Sequence, residues 1–179
     1  MSGLVDASET VTGGWGESRS RTVTWHDPLA AAAVGLRMTG LDYLQAMRDG
    51  ELPPPPIASL MQMTLVRAEH GDVAFECVPD ESAYNPIGAV HGGLVCTLLD
   101  SVVGCALQST LPAGRGYTSI EIKVSYLKAV RATSGTLTAS GTVVKSGTRV
   151  GFAEGVVTDG HGSVVATASS TLLVFDLPS

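Results

Sequence analysis

The sequence predicts an α+β fold in which a long antiparallel β-sheet wraps around one central buried helix. Three observations predict it. From about Gly92 to Thr110 the chain is apolar on nearly every side, with Leu94, Val95, Leu98, Leu99, Val102, Val103 and Leu107 closely spaced. A helix of that kind belongs in the middle of a protein. Beyond it the period changes from helical to two, as Ile120, Ile122, Val124 and Tyr126 alternate with Ser119, Glu121, Lys123 and Ser125. Residues 136–145, 150–158 and 163–175 pass the same test, rich in Thr and Val, and turns follow at Lys145-Ser-Gly-Thr and Thr158-Asp-Gly-His-Gly.

The remaining elements follow in chain order. Residues 1 to about 25 are rich in Ser, Thr and Gly without sustained periodicity, which predicts a mobile tail. Asp27-Pro28 reads as a helix start, Asp as N-cap and Pro at the first helical position, with a stop near Gly35. Thr39-Gly40 opens a second short helix that carries Leu41, Tyr43, Leu44 and Met47 and closes at Gly50. Pro53 to Pro56 are expected to be extended. They mark a boundary between an N-terminal extension, residues 1–57, and a main domain, residues 58–179. After a short segment at 57–61, Met63 to Ala68 and Asp72 to Val78 read as strands around a turn at His70-Gly71.

Bulk properties narrow the function classes. A net charge of −6 argues against sequence-independent nucleic-acid binding, which needs a concentrated basic surface. Cys77, Cys96 and Cys105 show no metal-binding spacing, and Cys96 and Cys105 lie too far apart on one helix for a disulfide. Three reduced thiols in a cytoplasmic protein are expected. No secretory leader or membrane span is read from the sequence.

The chemistry concentrates at Asn85-Pro-Ile-Gly-Ala-Val-His91-Gly92-Gly93, a polar, glycine-rich loop directly before the apolar helix. Within that helix stands one acid, Asp100, and a carboxylate buried among apolar residues is expensive unless something uses it. An Asn six residues before the His and an acid nine residues after it, set in this order of elements, resemble the PaaI-type acyl-coenzyme A thioesterases. The resemblance covers roughly residues 58–175 and implies the hot-dog fold.

Helix physics assigns Gly92 and Gly93 a role of their own. The first amides of a helix have no internal partner, so an amide here can polarise a thioester carbonyl. Asp100 then serves as nucleophile, through a mixed anhydride, or as the general base that activates water. The resemblance further implies that the Asn85 amide bonds the thioester oxygen or positions water, and that Ser119 orients water. Strand alternation places Ser119 with Glu121 and Lys123, opposite Ile120 and Ile122. His91 is expected to brace the loop, while His26, His70 and His161 are expected in solvent. No His/carboxylate set points to a metal, and no cofactor is expected beyond the coenzyme A of the substrate itself.

Asp100 lies eight residues beyond Gly92, roughly 12 Å along a helix, so one carbonyl cannot touch both in one subunit. The site should therefore combine two copies, in a homodimer at least, with a homotetramer as the larger form. Lys145, Ser146, Gly147, Thr148 and Arg149 offer two cations, hydroxyls and open amides for the phosphates of coenzyme A. Two alternatives stand beside hydrolysis of an aryl-acyl or medium-chain acyl-CoA. One is a hydratase or dehydratase of the same fold using His91 with Asp100; the other is a non-catalytic acyl-CoA binding module.

Overall fold

The structure, a computed structural model, describes Gly14 and residues 16–177. The expectation of a mobile tail falls largely on residues that lie outside this set.

Helix α1 (Pro28–Gly35) starts where the Asp27 carboxylate accepts the Leu29 N–H at 2.9 Å. Helix α2 (Gly40–Arg48) starts where the Thr39 hydroxyl accepts the Asp42 N–H at 3.2 Å. Pro56 departs from the expected extended run: it is the first residue of α3 (Pro56–Met61). A proline is tolerated there because the N–H it lacks would have had no helical partner.

Six strands form one antiparallel sheet: β1 (Met63–Glu69), β2 (Asp72–Cys77), β3 (Arg115–Tyr126), β4 (Leu137–Ser146), β5 (Val150–Thr158) and β6 (Val164–Asp176). Their order across the sheet is β1-β2-β4-β5-β6-β3, which leaves β3 with an open edge. Helix α4 (Gly92–Gln108) lies on one face, with Leu98, Leu99, Val102, Val103 and Leu107 sealed from solvent. Each such side chain contributes about 1.5–3 kcal/mol of burial, which makes α4 the centre of the core. At Gly141 on β4 a side chain would strike the Val102 backbone, so a bare strand is what lets the helix lie this close.

Two sequence expectations are corrected here. Asp100 is not buried: it is exposed in the single chain. At about 100° per residue, Gly93, Thr97, Asp100, Ser101, Cys105 and Gln108 share the side of α4 that the sheet does not cover. Ser119, in turn, is not opposite Ile122. Ser119 pairs with Leu172 and Glu121 with the adjacent Thr171, so Ile120 is an extra residue in a bulge. A bulge resets the alternation. Tyr117, Ser119, Ile122, Val124 and Tyr126 therefore all face α4, while Ile120 points out, 57% exposed.

Candidate active site

The loop before α4 is closed by its own backbone. Tyr84 and Val90 form a bridge, the Asn85 N–H donates to the Ala89 carbonyl at 2.7 Å, and Gly88 takes a φ of +77°. The side-chain carbonyl of Asn85 accepts from Ile87 and Ala89 N–H, each at 3.1 Å. That carbonyl thus holds the turn, and the Asn85 amide nitrogen remains without a protein partner among the described residues.

His91 is the N-cap of α4: its Nδ1 accepts the Gly93 N–H at 2.8 Å, and its own N–H donates to Ala83 at 2.7 Å. The Leu94 N–H returns to the His91 carbonyl at 3.0 Å. Gly93 and Leu94 are therefore occupied, whereas the Gly92 N–H has no protein acceptor among the described residues. One free amide at the positive end of a 17-residue helix is a ready donor to a developing oxyanion. Gly92 and Asn85 line one cavity of about 340 Å³, together with Val95, Tyr126, Leu127 and Val130.

Tyr126 was not among the residues expected from the sequence. Its hydroxyl donates to the Gly92 carbonyl at 3.0 Å, and desolvation raises its pKa above the ordinary phenol value. Strand alternation put this ring on one face with Ile122 and Val124, but nothing in the sequence tied its hydroxyl to Gly92.

Asp100 stands farther along the same helix. Thr97 and Ser101 do not hold it: their hydroxyls donate back to the Gly93 and Thr97 carbonyls at 2.9 and 2.7 Å. Its partner is Ser119, whose hydroxyl donates to Asp100 Oδ1 at 2.8 Å. Oδ2 has no protein partner among the described residues. One turn on, Tyr117 packs over the bare backbone of Gly104, beside Cys105. Burial pushes the Cys105 thiol up to about 12, helped by the Asp100 charge, and raises Tyr117 well above the ordinary value. Neither group is a nucleophile in this setting.

The structure thus brings Asp100 and Ser119 together, and Gly92, Asn85 and His91 together, but not the two sets with each other. The turn at Lys145–Arg149 stands at the far end of α4 from Gly92. Ser146 meets Thr110 at 2.9 Å, and Arg115 donates to the Thr148 carbonyl at 2.7 Å. Beside Gly92 the cation is Lys128, whose ammonium donates at 2.7 Å to Asp159, a carboxylate with 1% side-chain exposure. Among the described residues no helix is long and apolar enough to cross a membrane.

Comparison with known proteins finds likenesses to this arrangement. Residues 87–166 match the Thioesterase superfamily model. An esterase candidate of Halobacterium salinarum is 38% identical over 96 residues, 49% of this chain and 62% of that protein. Human acyl-coenzyme A thioesterase 13 is 37% identical over 68 residues, 38% of this chain and 48% of that protein. The chain thus spans less than two thirds of the length of either relative. Among solved structures, a thioesterase candidate of Ralstonia eutropha JMP134 described as phenylacetic acid degradation-related superposes with a TM-score of 0.67. It is 26% identical, over 73% of this chain and 98% of that one. The sheet, the central helix and the sequence match agree: this chain has the hot-dog fold, and its segment 87–166 is similar to the thioesterase superfamily.

Proposed function

We propose that this protein is an acyl-CoA thioesterase that hydrolyses an aryl-acyl or medium-chain acyl-CoA to the free acid and coenzyme A. The observation that carries the proposal is the division of the site. Each chain displays an exposed carboxylate held by Ser119 and, roughly 12 Å along α4, an unpartnered amide at Gly92 beside a half-buried Asn85. Neither half suffices alone, and a two-fold pair completes two sites at once, Gly92 of one copy facing Asp100 of the other.

In that pair the Gly92 N–H and the Asn85 amide bind the thioester oxygen, while Asp100 Oδ2 acts from the other subunit. As nucleophile it bonds to the carbonyl carbon and expels the thiolate, and water then opens the mixed anhydride. As base it takes a proton from the attacking water. Either route needs no cofactor. The phosphates of coenzyme A are assigned to Lys145–Arg149, whose two cations are exposed. The open edge of β3 and the uncovered side of α4 support the dimer, and the outward Phe152, Leu173 and Phe175, 36–42% exposed, support a tetramer of two dimers. Three unpaired thiols support a cytoplasmic setting.

The test is thiol release from a panel of aryl and straight-chain acyl-CoAs, with Asp100→Asn alongside. A fall in kcat of about a hundredfold or more is expected for Asp100→Asn, with the fold and the pair retained because the side chain keeps its size. Near-normal turnover by that variant would remove Asp100 from the reaction. Sedimentation showing a catalytically active monomer would remove the shared site.

A further inference from the structure

The two tyrosines beyond Asp100 have no part in the hydrolysis just described, and one of them belongs to the N-terminal extension. The N-terminus of α2 is pressed onto the C-terminal end of α4. The Gly40 N–H donates to Leu111 at 2.9 Å, and a side chain at Gly40 would overlap the Gln108 carbonyl. Three residues on, and on the same side of α2, comes Tyr43. Three residues back from Gln108, on the uncovered side of α4, comes Cys105. Tyr43 is therefore turned toward that stretch of α4, and burial and then Cys105 raise its pKa above the ordinary phenol value.

Two bare backbone positions hold these rings. A Cβ at Gly35, the last residue of α1, would lie 2.7 Å from the Tyr43 ring, so α1 ends flat against it. A Cβ at Gly104 would collide with the Tyr117 hydroxyl, with ring atoms of Tyr117 at 2.7 and 2.8 Å. An aromatic ring from α2 thus stands on the side of α4 near Cys105, and another, from β3, packs directly on Gly104. An acyl group that passes Asp100 along the uncovered side of α4 meets them after five residues, roughly 7 Å.

We propose that Tyr43 and Tyr117 form the end wall of the acyl site, so that among the ring and medium-chain thioesters above this chain favours a single ring or the shorter chains. The inference rests on the thioesterase reading above and adds to it a residue from outside the thioesterase-superfamily segment. The extension thereby acquires a role, because α1 and α2 set the depth of the site.

The experiment measures kcat/KM for acyl-CoAs of increasing chain length, with phenylacetyl-CoA and benzoyl-CoA as ring substrates. Tyr43→Ala opens the wall and should raise the ratio of long-chain to ring substrates about tenfold or more. Tyr43→Phe keeps the ring and should keep the wild-type profile. Cys105→Leu adds bulk beside the two rings and should move the ratio the opposite way. Thiol release with a length profile that neither Tyr43→Ala nor Cys105→Leu alters would overturn the end wall and leave the thioesterase standing. A wild-type protein that releases no thiol from any substrate would overturn both.

Discussion

Replacing Gly92 by alanine separates the packing role of this residue from its role as a donor. Gly92 has no left-handed φ, so alanine adopts its backbone without strain. Inside a helix, alanine is favoured over glycine by up to about 1 kcal/mol. Against this, the new Cβ would stand 3.2 Å from Tyr126 Cζ and 3.3 Å from Cε1 and Oη. Those contacts are tighter than ordinary by a few tenths of an ångström, an overpacking cost of about 1 kcal/mol. The two effects nearly cancel, and at this chain length a residual 1 kcal/mol moves the melting temperature by about 2–4 °C. Catalysis is not compensated in the same way. Tyr126 is tied to the Gly92 carbonyl at 3.0 Å, so the adjustment moves a ring that lines the same cavity as Gly92. Removing an oxyanion donor outright costs about a hundredfold or more, and displacing its surroundings should cost about tenfold in kcat/KM. Calorimetry and thiol release on the same preparation read both numbers. Kinetics within twofold of wild type would refute the assignment of the Gly92 amide. A loss of several kcal/mol in stability would refute the packing arithmetic.

Three further outcomes are expected. Ser119→Ala removes a charge-assisted bond from an exposed carboxylate, worth at the low end about 1–1.5 kcal/mol, so kcat should fall about five- to fifteenfold; Ser119→Thr should restore it, and an unchanged kcat would mean that Asp100 needs no orienting. Asp159 is held at about 2 by the Lys128 ammonium and then by the Ser163 and His161 N–H groups, below its ordinary 3.8. Because the folded value is the lower one, its contribution is complete above about pH 4 and is lost as pH falls through about 2. Asp159→Asn should therefore be less stable than wild type at pH 6 by urea unfolding, with the gap closing toward pH 2; a gap that widens on acidification would refute the pairing. Leu99→Ala, at a fully buried position against the sheet, should cost about 2–5 kcal/mol, and a loss below 1 kcal/mol would contradict α4 as the centre of the core.

The element order was legible because local chemistry marks it. Asp27-Pro28 and Thr39 cap helices as expected, and the change from helical to two-residue period falls where α4 gives way to β3. Pro56 hid α3, since a proline run reads as extended although its last member can open a helix. The surroundings of Asp100 were not legible. Apolar residues border it on the sequence, and the side of α4 left open by the sheet carries Gly, Thr, Ser and Cys, residues too small to announce an exposed stripe. Ser119 was misplaced for a different reason. Its bulge residue is Ile120, an apolar side chain that fits the alternating pattern it breaks. That Gly92 and Asp100 cannot meet in one chain, by contrast, followed from the rise of a helix alone.

That extra residue in β3 has a consequence for how the two half-sites move. Because of it, one unbroken strand touches α4 at Asp100 through Ser119 and at Gly92 through Tyr126. Strand and helix are thereby pinned together at two points, like a rung bolted at both ends. Any slide of β3 along α4 would loosen the acid and the oxyanion donor in the same stroke. In the two-fold pair proposed above, each composite site would borrow one pin from each subunit, so a disturbance entering at one site would reach the other.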